Sequence, residues 1–519
     1  MSDFAADIAR AYAVDGPAIE LGRGVHDGAL EREATVRVPL SMITRHGLIA
    51  GATGTGKSRT LQVLAEQLSA AGVPCLVTDV KGDMSGLGAP GEAGSRAQAR
   101  AEELGTPWSP TAFPVAFLAL GGIGPGVPVR ATLSDFGPQL LGKILRANET
   151  QEQSLQLVFH YADTKGLPLL DLSDLRALLT FLDSDAGKAE LEGIGGLSGA
   201  TVGVLLRGLV GLETGGGNEL FGEPQLDVAD LMRISDTGFG IISCLELAAV
   251  QDKPQLFSTA LMWLLAELFE TLPEVGDLPK PKLAFFFDEA HLLFADATPA
   301  FVQSVTQTVR LIRSKGVAVF FITQTPKDIP GDVLGQLGNR VQHALRAFTP
   351  DDAKALKATV GTFPTSPYYD LEELLPALGI GEAVVTVLSP NGVPTPVVHT
   401  RLTAPASRMA PADDVDGAAR ASVLWGKYGT RTEAESAREQ LAARTQAAAE
   451  AAATPPPRPQ APEDAPLEHI PPPRRRPRSR TPTPQPDGGG LGDFLGSREG
   501  KQLQKELMRG VFGMLRKGR

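Results

Sequence analysis

The stretch Gly51-Ala-Thr-Gly-Thr-Gly-Lys57-Ser58 constrains this chain more than any other. It matches the phosphate-loop pattern G-x-x-x-x-G-K-[ST] and stands where that pattern has a mechanism. A short apolar run, Gly47–Ala50, precedes it, and leucines at helical spacing, Leu61, Leu64 and Leu68, follow it. Glycines let successive backbone N–H groups turn inward on phosphates, and the free helix N-terminus adds partial positive charge. The expected nucleotide-binding residues are therefore Gly51, Ala52, Thr53, Gly54, Thr55, Gly56, Lys57, Ser58 and Arg59. Lys57 is expected on the β- and γ-phosphates of ATP, and the Ser58 hydroxyl on Mg²⁺. Gly72 and Pro74 end the helix before a second strand at Cys75–Asp79. Strand, loop, helix and strand in this order open a parallel α/β sheet.

A second constraint is the apolar run Leu283–Phe287, which ends in Asp288 and Glu289. A buried strand of a parallel sheet delivers acids in this way to its C-terminal edge. Asp288 is the expected Mg²⁺ ligand and Glu289 the base that polarises the attacking water. A glutamate directly after the metal aspartate marks the additional-strand ATPases and points to motors. The next apolar run, Val317–Thr323, ends in Gln324, whose amide could sense the γ-phosphate or position water. Between the two runs a helix is predicted with Phe301, Val305, Val309 and Ile312 facing the core and Arg310 and Arg313 on one flank. One of these could be an arginine finger reaching a neighbouring subunit, with Arg313 the favoured candidate. A solvated basic face fits the same spacing. Asp79-Val-Lys81-Gly-Asp83 reads equally as a coupling element or as an ordinary polar strand exit, and His291 as a structural histidine without a partner cluster. Residues 148–152 read as a helix cap.

The 519 residues, 42% of them hydrophobic, suffice for one large α/β domain with appendages. Two distant cysteines, Cys75 and Cys244, exclude a disulfide scaffold or a paired-cysteine metal site. No leader and no membrane span are read, which predicts a cytoplasmic location. The net charge of -11 argues against a uniformly basic nucleic-acid coat, but leaves room for a ring with positive charge along its pore.

The fold class is α/β, a RecA-like additional-strand P-loop NTPase core with a mainly helical insertion, a C-terminal linker and an amphipathic helix. Residues 1–46 are a short strand-leaning segment in which 34–40 alternate with period two. The core is 47–140 and 236–408, with further strands near 238–244, 383–388 and 393–399. The last two form a hairpin that gives the sheet an antiparallel edge. Residues 141–235 are the helical insertion and 409–453 a C-terminal helical segment. Residues 454–490 are a Pro/Arg-rich linker expected to be disordered, and 491–519 a basic amphipathic tail helix suited to DNA phosphates, anionic lipid or a partner groove.

The motifs at 51–58, 79–83, 285–291, 310–316 and 322–324, with 337–346 and 400–408, together resemble the HerA–FtsK superfamily. They look closest to a bacterial HerA-like branch, over residues 20 to 408. The resemblance implies hexameric rings with ATP between subunits, a trans arginine at Arg313, and DNA pumped or unwound through the pore. Members of the same superfamily act on protein in conjugation and secretion, so a protein partner or a nucleotide-dependent switch is the alternative. HerA proper carries a β-barrel before the phosphate loop that the preceding 46 residues cannot hold. The insertion is where specificity could instead reside.

Overall fold

Leu283–Phe287 is buried at every position, as a strand covered on both faces must be. So are Gly47–Ala50, Cys75–Asp79 and Val317–Thr323, and these runs form the centre of a single sheet in the computed structural model. The structure describes residues 2–453 apart from 295–298 and 433. In chain order the strands are β1 (Ala18–His26), β2 (Ala29–Pro39), β3 (Gly47–Ala50), β4 (Cys75–Asp79), β5 (Val115–Leu120), β6 (Val127–Val129), β7 (Ile242–Glu246), β8 (Leu283–Phe287), β9 (Val317–Thr323), β10 (Asn339–Gln342), β11 (Glu382–Thr386) and β12 (Val398–Leu402). Their spatial order is β2-β1-β12-β11-β10-β3-β9-β8-β4-β7-β5-β6.

Every pairing from β10 to β6 is parallel, whereas the pairings that join β10, β11, β12, β1 and β2 are antiparallel. One strand, β9, lies between the phosphate-loop strand β3 and the acid-bearing strand β8. This is the additional strand of the RecA-like additional-strand fold, and the expected fold class holds. Aromatic stacks fix β9 against β8: Phe286 on Phe320 and Phe287 on Phe321, each with ring centroids 5.1 Å apart.

The edge of the sheet differs from expectation. The 383–399 hairpin is interior, because β12 pairs onward with β1 and the antiparallel edge is β2. Its strands are also displaced, pairing as Glu382–Thr386 with Val398–Leu402, while Leu388 and Pro394 keep only an isolated bridge near the turn. The N-terminal segment begins with a helix, Asp3–Ala11, capped by Ser2, and continues as the β1–β2 hairpin of the main sheet. Ala34, Val36 and Val38 of β2 are buried in alternation.

Residues 133–220 carry helices Leu133–Ile144, Glu149–Lys165, Leu172–Asp183, Asp185–Glu190, Gly199–Thr214 and Gly217–Leu220. Asn148 and Gln151 form a capping box at the second of these. Helix Ala437–Ala453 packs on Leu172–Asp183, so the C-terminal helices belong to the same compact unit as the sheet. The expected linker 454–490 and tail helix 491–519 lie outside the described residues. No helix among the described residues is long and apolar enough to cross a membrane.

Candidate active site

The phosphate loop leaves β3 and enters helix Lys57–Ala70, with Gly51, Gly54 and Gly56 at φ 154°, 79° and 114°. These positive angles are open to glycine at low cost and turn the loop back over the helix N-terminus. The loop is braced from the strand beside it. Ala52 N–H donates to Ala344 O at 2.8 Å, and Gly381 N–H to Thr55 O at 3.1 Å. The fully buried His343 stands at the end of β10 with Nδ1 3.1 Å from Thr55 O and Nε2 2.9 Å from Thr60 Oγ1. Because Thr55 O can only accept, Nδ1 carries the proton and Nε2 accepts from Thr60. Burial, followed by the nearby Lys57 ammonium, lowers the His343 pKa to about 4.

Lys57 is buried, and its Nζ donates to Gly51 O at 2.6 Å and Ala52 O at 3.2 Å within its own loop. Burial lowers its pKa, opposed by Glu289. Ser58 is half-buried at the start of the helix. Arg59 donates to Gln62 Oε1 at 2.7 Å and pairs with Asp83 at 3.7 Å, tying the loop's helix to the 79–84 turn. In that turn Asp79 accepts the N–H groups of Lys81, Gly82, Asp83 and Met84.

Asp288 and Glu289 follow β8 at the C-terminal edge of the parallel strands and are 2% and 7% exposed. Asp288 N–H donates to Thr78 Oγ1, while its Oδ2 is buried without a hydrogen-bond partner among the described residues. Burial raises its pKa to about 7 against the pull of Lys81. Glu289 has φ 48°, a left-handed backbone that costs a non-glycine residue about 1–2 kcal/mol. Ala290 N–H, bonded to Ile322 O at 2.8 Å, pins that conformation to β9. The Lys81 ammonium pairs with Glu289 Oε1. His291 Nδ1 lies 3.2 Å from Glu289 Oε2, in ion-pair range but without hydrogen-bond geometry. His291, read as a structural histidine near Glu289 without a partner cluster, is folded back on Glu289 by the turn after β8.

Gln324 is exposed at the end of β9 and lines a cavity of about 190 Å³ with Ala52 and Thr53 of the loop, Lys327 and Arg346. The sheet therefore brings Lys57, Ser58, Asp288, Glu289 and Gln324 to one edge. Arg313 is elsewhere: it precedes β9, whose seven residues span about 20 Å, and so sits at the opposite edge. There it pairs with Asp277 at 2.6 Å, while Arg310 is exposed on the helix Pro299–Ile312, with Phe301, Val305, Val309 and Ile312 buried.

Sequence reasoning missed Lys81 as a partner of Glu289, and missed His343. The signal for His343 was the polar pair Gln342-His343 set between Val341 and Ala344-Leu345, and Gln342 itself donates to Ala50 O at 3.2 Å. It also missed Glu246, which faces Asp79 across paired strands and whose pKa rises to about 8 through burial and then Asp79.

The sequence matches the family described as Helicase HerA-like C-terminal over residues 26–519. No protein of curated function matches it. The backbone is similar to the bacterial conjugative coupling protein TrwBΔN70 in its unbound form, with TM-score 0.50, 14% identity and coverage of 79% of this chain and 94% of that one. It is similar also to plasmid coupling protein TrwB in complex with the ATP analogue ADPNP, with TM-score 0.50, 15% identity and 77% and 99% coverage. VirB4 of Thermoanaerobacter pseudethanolicus gives TM-score 0.45, 16% identity and 75% and 98% coverage. At these identities the likeness is one of fold.

Proposed function

Because this chain belongs to the Helicase HerA-like C-terminal family, we propose that it is an ATP-hydrolysing motor that works as a homo-hexameric DNA translocase or helicase. The observation that carries the ATPase reading is the buried pair Asp288 and Glu289, held against a glycine-turned phosphate loop with its lysine inside. The donor set fits Mg²⁺, because Asp288 Oδ2 is buried with no hydrogen-bond partner among the described residues and Ser58 stands in the first turn of the phosphate-loop helix. Ser58 and Asp288 would hold the ion, which when bound supplies charge neutralisation at the phosphates.

The chain's own groups then divide the work. Backbone N–H groups of residues 53–58 receive the phosphates, and Lys57 exchanges the carbonyls of Gly51 and Ala52 for phosphate oxygens. Glu289 takes a proton from the attacking water, and Gln324 orients that water from the end of β9. Arg313 serves the neighbouring subunit, exchanging Asp277 for developing charge on the γ-phosphate. The DNA substrate and hexameric ring rest on family membership, and the cytoplasm is the matching location.

Steady-state ATPase measured across protein concentration, with and without duplex or single-stranded DNA, tests this for wild type and Arg313→Ala. A rate per subunit that rises with concentration and DNA and collapses in Arg313→Ala is expected. A rate indifferent to DNA would leave the ATPase and transfer the proposal to a protein-directed motor or a switch.

A further inference from the structure

The two oxygens of Glu289 are treated differently. Oε1 is taken by the Lys81 ammonium, whereas Oε2, with His291 Nδ1 3.2 Å away but not in hydrogen-bond geometry, is buried and accepts no hydrogen bond among the described residues. A carboxylate held by one oxygen on a short leash presents the other in a fixed direction. That is the geometry a general base needs toward a water.

The leash is itself anchored. Lys81 belongs to the turn whose four N–H groups close on the Asp79 carboxylate, and Asp79 is fully buried at the end of β4. The same turn meets the phosphate-loop helix through Asp83 and Arg59. On the other side, the left-handed backbone of Glu289 is pinned by the Ala290 to Ile322 hydrogen bond. Side chain and backbone of Glu289 are thus fixed from two neighbouring strands, β4 and β9, which flank its own. The Lys81 side chain is 42% exposed, so it is not part of the packed core.

We infer that Lys81 is the positioning residue of the base, holding Glu289 by Oε1 so that Oε2 meets the attacking water. The inference rests on the reading of Glu289 as base in an ATPase. Misplacing a reacting group by about 1 Å costs on the order of 100-fold. Lys81→Ala is accordingly expected to lower kcat by about 10- to 100-fold, with ATP affinity, read by a fluorescent ATP analogue, within about twofold of wild type. Lys81→Arg, which keeps a cation of similar reach, is expected to recover most of the loss.

The deciding experiment is the double-mutant cycle of Lys81→Ala with Glu289→Gln under single-turnover conditions. If Lys81 acts through Glu289, its removal costs nothing further once the carboxylate is gone. Additive losses, or an ATP affinity that falls in step with kcat, would overturn the assignment and make Lys81 a phosphate ligand. An unchanged kcat in Lys81→Ala would also overturn it. Failure of the underlying reading looks different: wild type without turnover, or Glu289→Gln at wild-type rate.

Discussion

Gly51 and His343 approach so closely that no side chain fits between them: a Cβ on Gly51 would stand 2.4 Å from the His343 Cβ. Gly51→Ala must therefore push the loop away from β10 as well as strain its own backbone. Nucleotide affinity is expected to fall by at least about tenfold, the equivalent of ~1.4 kcal/mol, in an equilibrium titration. Gly54 is the control. A Cβ there meets nothing within 4 Å, so Gly54→Ala carries only the left-handed penalty of about 1–2 kcal/mol.

Lys57→Ala and Glu289→Gln should separate binding from chemistry. The first is expected to lose ATP binding, because the loop's buried cation goes with it. The second should bind ATP normally and turn it over at least about 100-fold more slowly. Near-normal turnover in purified Glu289→Gln would remove Glu289 from the role of base.

Acid should loosen the brace behind the loop. His343 is buried neutral with a pKa near 4 against an ordinary 6.5, so its contribution is complete above 6.5 and drains away as pH falls toward 4. The size is up to about 3 kcal/mol. Glu246 and Asp288, raised to about 8 and about 7, titrate with the opposite sign and favour the fold as pH falls. The buried His46, lowered to about 4, has the same sign as His343, so raw stability curves mix several groups. The clean measurement is the denaturant stability of wild type minus His343→Gln at each pH. That difference should shrink between pH 6.5 and 4, and a difference flat with pH would contradict a neutral buried His343.

Glu66, on the phosphate-loop helix, accepts the N–H groups of Ala406 and Ser407 and the Ser407 hydroxyl. It is 4% exposed, so Glu66→Ala strands three donors with little access to water. A loss of about 2–4 kcal/mol in urea unfolding is expected, and Glu66→Gln, which keeps an acceptor, should lose less.

The central sheet was legible because its strands are continuous apolar runs punctuated by chemistry, Gly51 after β3 and Asp288 after β8. β10 was not, because Asn339, Arg340 and Gln342 give it no apolar pattern. It is a strand because Asn339 and Gln342 satisfy backbone carbonyls of Met42, His46 and Ala50. β5 escaped because Val115–Leu120, though wholly apolar, leads only into Gly121-Gly122, with no phosphate loop or acid pair to mark it as a strand of the sheet. The site was legible where one residue type at one place performs the chemistry, as with Lys57 and Asp288. It was hidden where a role depends on a partner over 200 positions away, as with Lys81 and Glu289, or Thr55 and His343.

The Glu66 clasp has a consequence for how events are linked. Residues 405–412 run from the clasp, where Gln62 also holds Ser407 and Arg408, to helices Val415–Ala421 on β5 and Val423–Tyr428 on β6. The chain then reaches helix Ala437–Ala453, which packs on Leu172–Asp183. The helix that starts with Lys57 and the layer at Leu172–Asp183 are therefore joined by one run of chain that is docked on β5 and β6 along the way. By thermodynamic reciprocity, whatever binds that layer better in one position of this run changes nucleotide affinity by the same factor that nucleotide changes its own.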